Sequence, residues 1–423
     1  MNWDVNWVGV VVAELILARL AAGHWLSLLN RRHVLAHKDA APPAFKDLID
    51  PATYRKSVEY TLARSRFGEI EEVFDTAVLL AVLFTGLLPW LLHFFIAHFG
   101  TSAWAMAACL LAVGIALSLI SLPFGWLAQF RLEERFGFNT TTQKTWWLDR
   151  LKGLLLAAGL GLPLLALILK LAEWTGNRWW LWAWAVLMGF QLLMGVLAPV
   201  LILPLFNKFT PLPEGSLRGR LLNLAQKTQF VARSIQVMDG SKRSRHSNAF
   251  FTGFGRFRKI VLFDTLIQQL DEPELEAVLA HEIGHFKKKH IPKMLVMSAA
   301  GSFAAFWLIS LLAKQDWFFR AFGFAPARSS SAPAVVAVTL LLFGLLAGVV
   351  TFWFSPLAHW WSRRYEYEAD AFARQVMNEA RPLIGALRKL NEKNLSNLTP
   401  HPFYSAFYYS HPTLLEREEA LNK

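Results

Sequence analysis

Cysteine is almost missing: Cys109 is alone in 423 residues, which excludes an internal disulfide and a thiolate metal site. Any metal in this chain must therefore use histidine and carboxylate. No internal repeat and no low-complexity tract is present, so the chain is not built as a solenoid or around a biased linker. The nearest thing to a linker is Ala325 to Pro333, a small-residue stretch that reads as an external connection. No small-residue cleavage site follows the first apolar stretch, which itself contains Glu14 and Arg19, so that stretch is expected to be retained. The final residues EEALNK carry no ER-retrieval signal.

What the chain has in excess is apolar surface. At 54% hydrophobic, with 18 Trp and 33 Phe, it exceeds the about 45 to 50% of a soluble domain. The excess lies in blocks. Seven stretches, 5–29, 73–97, 103–126, 151–172, 178–205, 292–313 and 335–361, meet the length of roughly 20 apolar residues needed to cross a bilayer core. One such block alone could be a buried core helix, but seven require a mainly α membrane protein. Glu14, Arg19, Glu71, Glu72 and Asp75 fall in or near these spans; charges are costly in lipid, so they are expected to face an interior cavity or the interface.

The net charge of +12 would fit a nucleic-acid partner, but its distribution fits a membrane better. With seven spans, one set of loops (30–72, 127–150 with Lys152, 206–291 and 362–423) carries 36 Lys and Arg, and the opposite set carries 4. The positive-inside rule then puts the N-terminus outside and the large basic loops and C-terminus in the cytoplasm. No nucleic-acid partner is expected.

The chain thus divides into spans one to five with their loops (1–205), an extramembrane segment (206–291), spans six and seven (292–361) and a C-terminal segment (362–423). Within the second, SNAFFTGFGRFRKIVLFDT at 247–265 predicts a hairpin turning near Gly253 and Gly255, with its second strand over 258–263. Asp271-Glu-Pro-Glu274 then predicts a helix start, with Asp271 as cap, Glu274 completing a capping box and Pro273 in the first turn. That helix runs to the lysines 287–289.

It carries His281-Glu-Ile-Gly-His285, an HExxH pentapeptide. Positions i and i+4 share a helix face, so both imidazoles can converge on one ion while Glu282 stands beside it to reach a water. Chance yields this pattern in roughly one or two chains per hundred of such composition, so its placement matters: it lies on a capped helix, outside the membrane, with a third ligand candidate downstream. In Ser362-Arg-Arg-Tyr-Glu-Tyr-Glu-Ala-Asp370, Glu366 and Asp370 are again four apart. Glu366 can complete a His₂Glu zinc set, and Asp370 can accept a hydrogen bond from a ligand histidine. Glu368 points elsewhere. His290, five residues or about 140° beyond His285 on a continued helix, would face away from the metal; His93, His98 and His359 lie near span ends.

Together with FGFNTTT at 136–142, PLFNKFTPLPEG at 204–215, SNAFFTGFG at 247–255, HEIGHFK at 281–287, SRRYEYEADAFA at 362–373 and SHPTLLER at 410–417, these residues resemble the type I CAAX prenyl proteases over most of the chain. That resemblance implies seven helices enclosing a large intramembrane chamber, closed on one side by a zinc metallopeptidase domain made from 206–291 and the C-terminal segment. It implies one zinc ion per chain on His281, His285 and Glu366, with Glu282 as catalytic base. It also implies that Asn248 binds substrate backbone at a strand edge and that His411 stabilises the oxyanion. Without it, Asn248 would be a turn former and His411 a surface residue; Arg417 reads as structural, pairing with an acidic group.

The expected function is hydrolysis of peptide bonds by zinc-activated water, on a peptide or protein substrate that is lipidated or membrane-embedded. A bacterial inner membrane is the expected location, or the ER membrane if the source is eukaryotic. Two alternatives are a quality-control protease for damaged membrane proteins and, in another class, a transporter or channel.

Overall fold

A computed structural model describes residues 6–42, 45, 49–231, 234–252 and 259–423. Helix α1 (Trp7–Ala36) packs along α2 (Pro51–Phe84). The second pass continues, after a 56° bend, into α3 (Leu87–Phe99). Gly86 stands at the bend with φ +79°, a left-handed position that favours glycine. The third pass is α4 (Ala103–Leu127), which runs into a π-helical turn at Ala128–Glu133. Residues Gln143–Phe206 form a helical stretch of 64 residues; straight, it would reach about 96 Å, roughly three bilayer cores. It instead turns back at Gly176 (φ +53°), so that α5 (Leu162–Thr175) packs against α6 (Trp179–Leu197). That stretch therefore supplies two passes.

Outside the membrane, β1 (Phe209–Pro211), α7 (Ser216–Lys227), β2 (Ser234–Met238), β3 (Ala249–Thr252) and β4 (Lys259–Phe263) build a four-stranded sheet with one flanking helix. The strand order is β1-β2-β4-β3, with β2 parallel to β4 and the outer pairs antiparallel. The expected hairpin is present as β3 and β4, while the turn at Gly253 and Gly255 lies outside the described residues. The sheet is larger than that hairpin: β1 and β2 extend it on the far side. Among the described residues, strand β3 is at an edge.

Helix α8 (Glu272–Lys287) begins as its sequence predicts, with Asp271 and Glu274 closing a reciprocal capping box. Its apolar face, including Leu275, Leu279 and Ile283, enters the core that the sheet shares with α12 (Arg381–Lys393) further along the chain. Helix α9 (His290–Leu312) and the stretch that opens with α10 (Ala332–Thr351) are two further helical segments long and apolar enough to cross a membrane. A short 3-10 turn at Phe352–Phe354 joins α10 to α11 (Ser355–Met377), so α10 leads straight into the Glu366 helix. The connection Ala325 to Pro333 contains a 3-10 turn at Ala327–Ser329, and Phe318, Phe319, Phe322 and Phe324 just before it are buried.

Between the helices lies a cavity of about 1090 Å³ whose lining mixes polar and apolar residues. Arg19, Glu71, Glu72 and Asp75 line it, as their cost in lipid predicts. Glu14 does not: it is exposed, about 140° around α1 from Arg19. Lipid-length helices also leave Trp7, Trp90, Trp104, Trp174 and Trp182 exposed, the amphipathic ring type favoured at bilayer interfaces.

Candidate metal centre

Helices α8 and α11 meet at close range, and one glycine permits it. A Cβ on Gly284 would lie 3.0 Å from both the Cα and the carbonyl oxygen of Ala369. The two helix faces predicted from sequence therefore oppose each other directly. His281 Nε2 is 3.4 Å from Glu366 Oε2, His285 Nε2 is 3.3 Å from Glu366 Oε1, and the two Nε2 atoms are 3.1 Å apart. Among the described residues, these three form the group whose ligand atoms all lie close enough to hold one metal ion.

The donor chemistry fits a metal. Asp370 Oδ1 lies 2.8 Å from His281 Nδ1, which must donate to it, so that the neutral ring, the form a metal binds, presents its lone pair at Nε2. Glu366 Oε2 is buried and makes no hydrogen bond; His281 Nε2 at 3.4 Å and Arg417 Nη1 at 3.7 Å approach it only loosely, and a metal ion would complete the satisfaction a buried carboxylate oxygen needs. Two imidazoles and one carboxylate form a standard set for catalytic zinc. Glu282 is half-buried beside them, and burial pushes its carboxyl above the ordinary range while His281 and His285 pull it partly back.

Three neighbours extend the sequence reading. Helix α13 (Leu414–Asn422), started by a capping box of Thr413 and Glu416, carries Arg417. Arg417 donates to both carboxylate oxygens of Asp370, at 2.8 and 2.6 Å, which locks Asp370 toward His281. The TLLE capping signal was present in the sequence and places Arg417 in the first turn. His290 departs from expectation: α8 ends at Lys287, Lys289 has φ +57°, and the chain does not continue the helical rotation. His290 is buried, stacks on Tyr365 at 4.1 Å, and brings Nδ1 to 2.9 Å from His285 Nδ1. Its Nε2 is 3.1 Å from Glu368 Oε2. His290 thus backs His285 rather than facing away, and Glu368 serves that contact.

His411 brings Nε2 to 3.4 Å from Glu366 Oε1 and Nδ1 to 3.0 Å from Ser410 Oγ. Asn248 is exposed just ahead of edge strand β3; its side chain accepts from Ala249 N at 2.8 Å and its carbonyl from Phe263 N at 3.1 Å. Strand β3 packs against α8. His359 bonds the Phe407 carbonyl and His98 the Phe94 carbonyl, both apart from this cluster.

A polar chamber among bilayer-length helices, with a two-histidine, one-carboxylate cluster on an HExxH helix, defines an integral membrane metallopeptidase. Residues 30–208 match the family model described as CAAX prenyl protease N-terminal, five membrane helices, and residues 211–423 match peptidase family M48. The chain belongs to the CAAX prenyl protease group of family M48. It is 35% identical to CAAX prenyl protease 1 of Saccharomyces cerevisiae over 414 residues, covering 93% of this chain and 91% of the yeast protein. A human CAAX prenyl protease 1 homolog is 30% identical, with 94% and 92% covered. The crystal structure of S. mikatae Ste24p superposes with a TM-score of 0.90 at 33% identity, covering 100% of this chain and 99% of that one.

Proposed function

We propose that this membrane metallopeptidase holds one zinc ion on His281, His285 and Glu366 and uses it to hydrolyse prenylated CAAX-type protein substrates. The observation that supports the metal assignment is the buried Glu366 carboxylate, whose two oxygens face His281 Nε2 and His285 Nε2 at 3.4 and 3.3 Å, all three ligand atoms within reach of one ion. The substrate class is supported by the names of relatives aligned over nearly the whole chain. A bound zinc ion supplies Lewis-acid activation of water and of the scissile carbonyl.

The protein's own groups do the rest. Glu282 takes the proton of the attacking water and passes it to the leaving amine. With Ser410 Oγ donating to His411 Nδ1, His411 Nε2 keeps its proton and donates to the oxyanion. Asp370, held by Arg417, and His290, held by Glu368, orient the two histidines. Asn248 and the open edge of β3 pair with extended substrate backbone. Purified protein should contain one zinc per chain, cleave a farnesylated CAAX peptide and stop when a zinc chelator is added. Absence of zinc would overturn the metal, and equal cleavage of the unprenylated peptide would remove prenylation from the reading.

Asn248→Ala should raise KM by roughly 3- to 10-fold with zinc retained, the effect of one lost backbone hydrogen bond. Steady-state kinetics on the same peptide decide this, and an unchanged KM returns Asn248 to a strand-entry role.

The basic loops support a cytoplasmic site. Single cysteines in 206–291 and in the tail after residue 362 should label from the cytoplasm, and ones in 314–334 from the opposite side. Labelling of the first two from outside would keep the site and reverse the orientation.

A further inference from the structure

One side-chain cluster joins the chamber wall to the substrate strand and has no part in the chemistry above. His246 lies between Ser244, which bridges to Asn139, and Ala249, the first residue of β3. Its ring stacks on Phe138 with centroids 4.2 Å apart and planes at 19°. Nε2 is 3.4 Å from Glu133 Oε2, and Nδ1 is 2.9 Å from Asn394 Oδ1. The Tyr60 hydroxyl donates to the other oxygen of Glu133 at 2.7 Å. The backbone is pinned as well: the His246 carbonyl accepts from Thr265 Oγ1 at 3.1 Å, and its N–H donates to Ser244 Oγ at 3.1 Å.

These partners come from separate parts of the molecule. Tyr60 is on α2, Glu133 ends the π-helical turn after α4, and Asn394 caps the C-terminus of α12. Tyr60, Glu133, His246 and Asn394 all line the chamber. Two oxygen acceptors face the two ring nitrogens, so both contacts are satisfied when each nitrogen carries a proton. Glu133, the first influence on His246, raises its pKa above the ordinary histidine value; Arg64 on α2 opposes it, and Tyr60 faces Glu133 rather than the ring. Among the described residues, strand β3 has a neighbour only in β4. An edge strand so placed depends on its entry point for register.

We propose that His246 is a positioning residue that fixes the entry of β3, and with it Asn248, to the chamber wall through Glu133 and Asn394. The inference rests on the assignment of β3 and Asn248 to substrate binding. Deprotonation of His246 removes one of its two N–H contacts, so substrate binding weakens as pH rises.

The test uses full-length purified protein with His246→Ala and Glu133→Gln. His246→Ala should raise KM for the farnesylated CAAX peptide about tenfold while zinc content stays at one and kcat within about twofold. In Glu133→Gln the alkaline rise in KM should begin at lower pH, because the carboxylate that lifts the His246 pKa is gone. Hydrogen exchange needs no turnover: amides of Ala249–Thr252 should exchange about tenfold faster in both variants, while Ser234–Met238 stay as in the parent. If His246→Ala fails to fold, Glu133→Gln carries the test alone. Unchanged exchange and KM would overturn the proposal, as would loss of zinc and kcat together, which marks a general scaffold role. A parent enzyme that does not cleave the peptide defeats the proposed substrate, and the exchange data then decide His246 by themselves.

Discussion

Glu366→Ala is expected to lose zinc and proteolysis together. Three protein ligands are the usual minimum for a catalytic zinc site, and here the third is a carboxylate whose Oε2 is buried without a hydrogen bond. Removal leaves only two Nε2 atoms, 3.1 Å apart. Asp370 cannot substitute in place, since His281 and Arg417 already occupy both of its oxygens. Asp370→Ala should instead retain the ligand set and weaken metal affinity by roughly 10- to 100-fold through a less firmly oriented His281. Metal content after dialysis, measured beside activity on the same preparations, separates the two variants. Full zinc and activity in Glu366→Ala would move the third ligand elsewhere.

The parts of this site legible in the sequence are those set by local geometry. HExxH and the Glu366–Asp370 spacing each fix one helix face, and the Asp271–Glu274 box fixes where the first helix begins. Apolar length alone gives the passes, because lipid imposes that length. What escaped depends on chain segments far apart. Strand β1 is three residues long and ends in Pro211, and β2 gains its parallel partner β4 only through a crossover, so neither has a strong local pattern. His290 is no ligand, as expected, but it lies against His285 Nδ1 because the helix that carries His285 stops at Lys287. The need for glycine at 284 is visible only once Ala369 lies against it. Arg417 had a local capping signal, but its partner is 47 residues away.

Glu282→Gln should lower turnover by orders of magnitude while leaving zinc in place, whereas Glu366→Ala loses both. Glu282 follows His281 on α8, so its side chain leaves the ligand face yet remains beside the site. Burial raises its proton affinity above that of an ordinary carboxylate, with Glu366 adding to the effect and Arg417 opposing it. A base of raised pKa accepts a proton from water more readily and can still release it to the leaving amine. Glutamine has nearly the same shape, so packing on α8 is kept and only the proton acceptor is lost. General acid–base catalysis contributes roughly 10²- to 10⁴-fold, and kcat should fall by that amount with KM little changed. Zinc analysis, kcat and KM on one preparation give the decisive reading. Near-parental kcat in Glu282→Gln would show that another group accepts the proton and would remove Glu282 from the role of base.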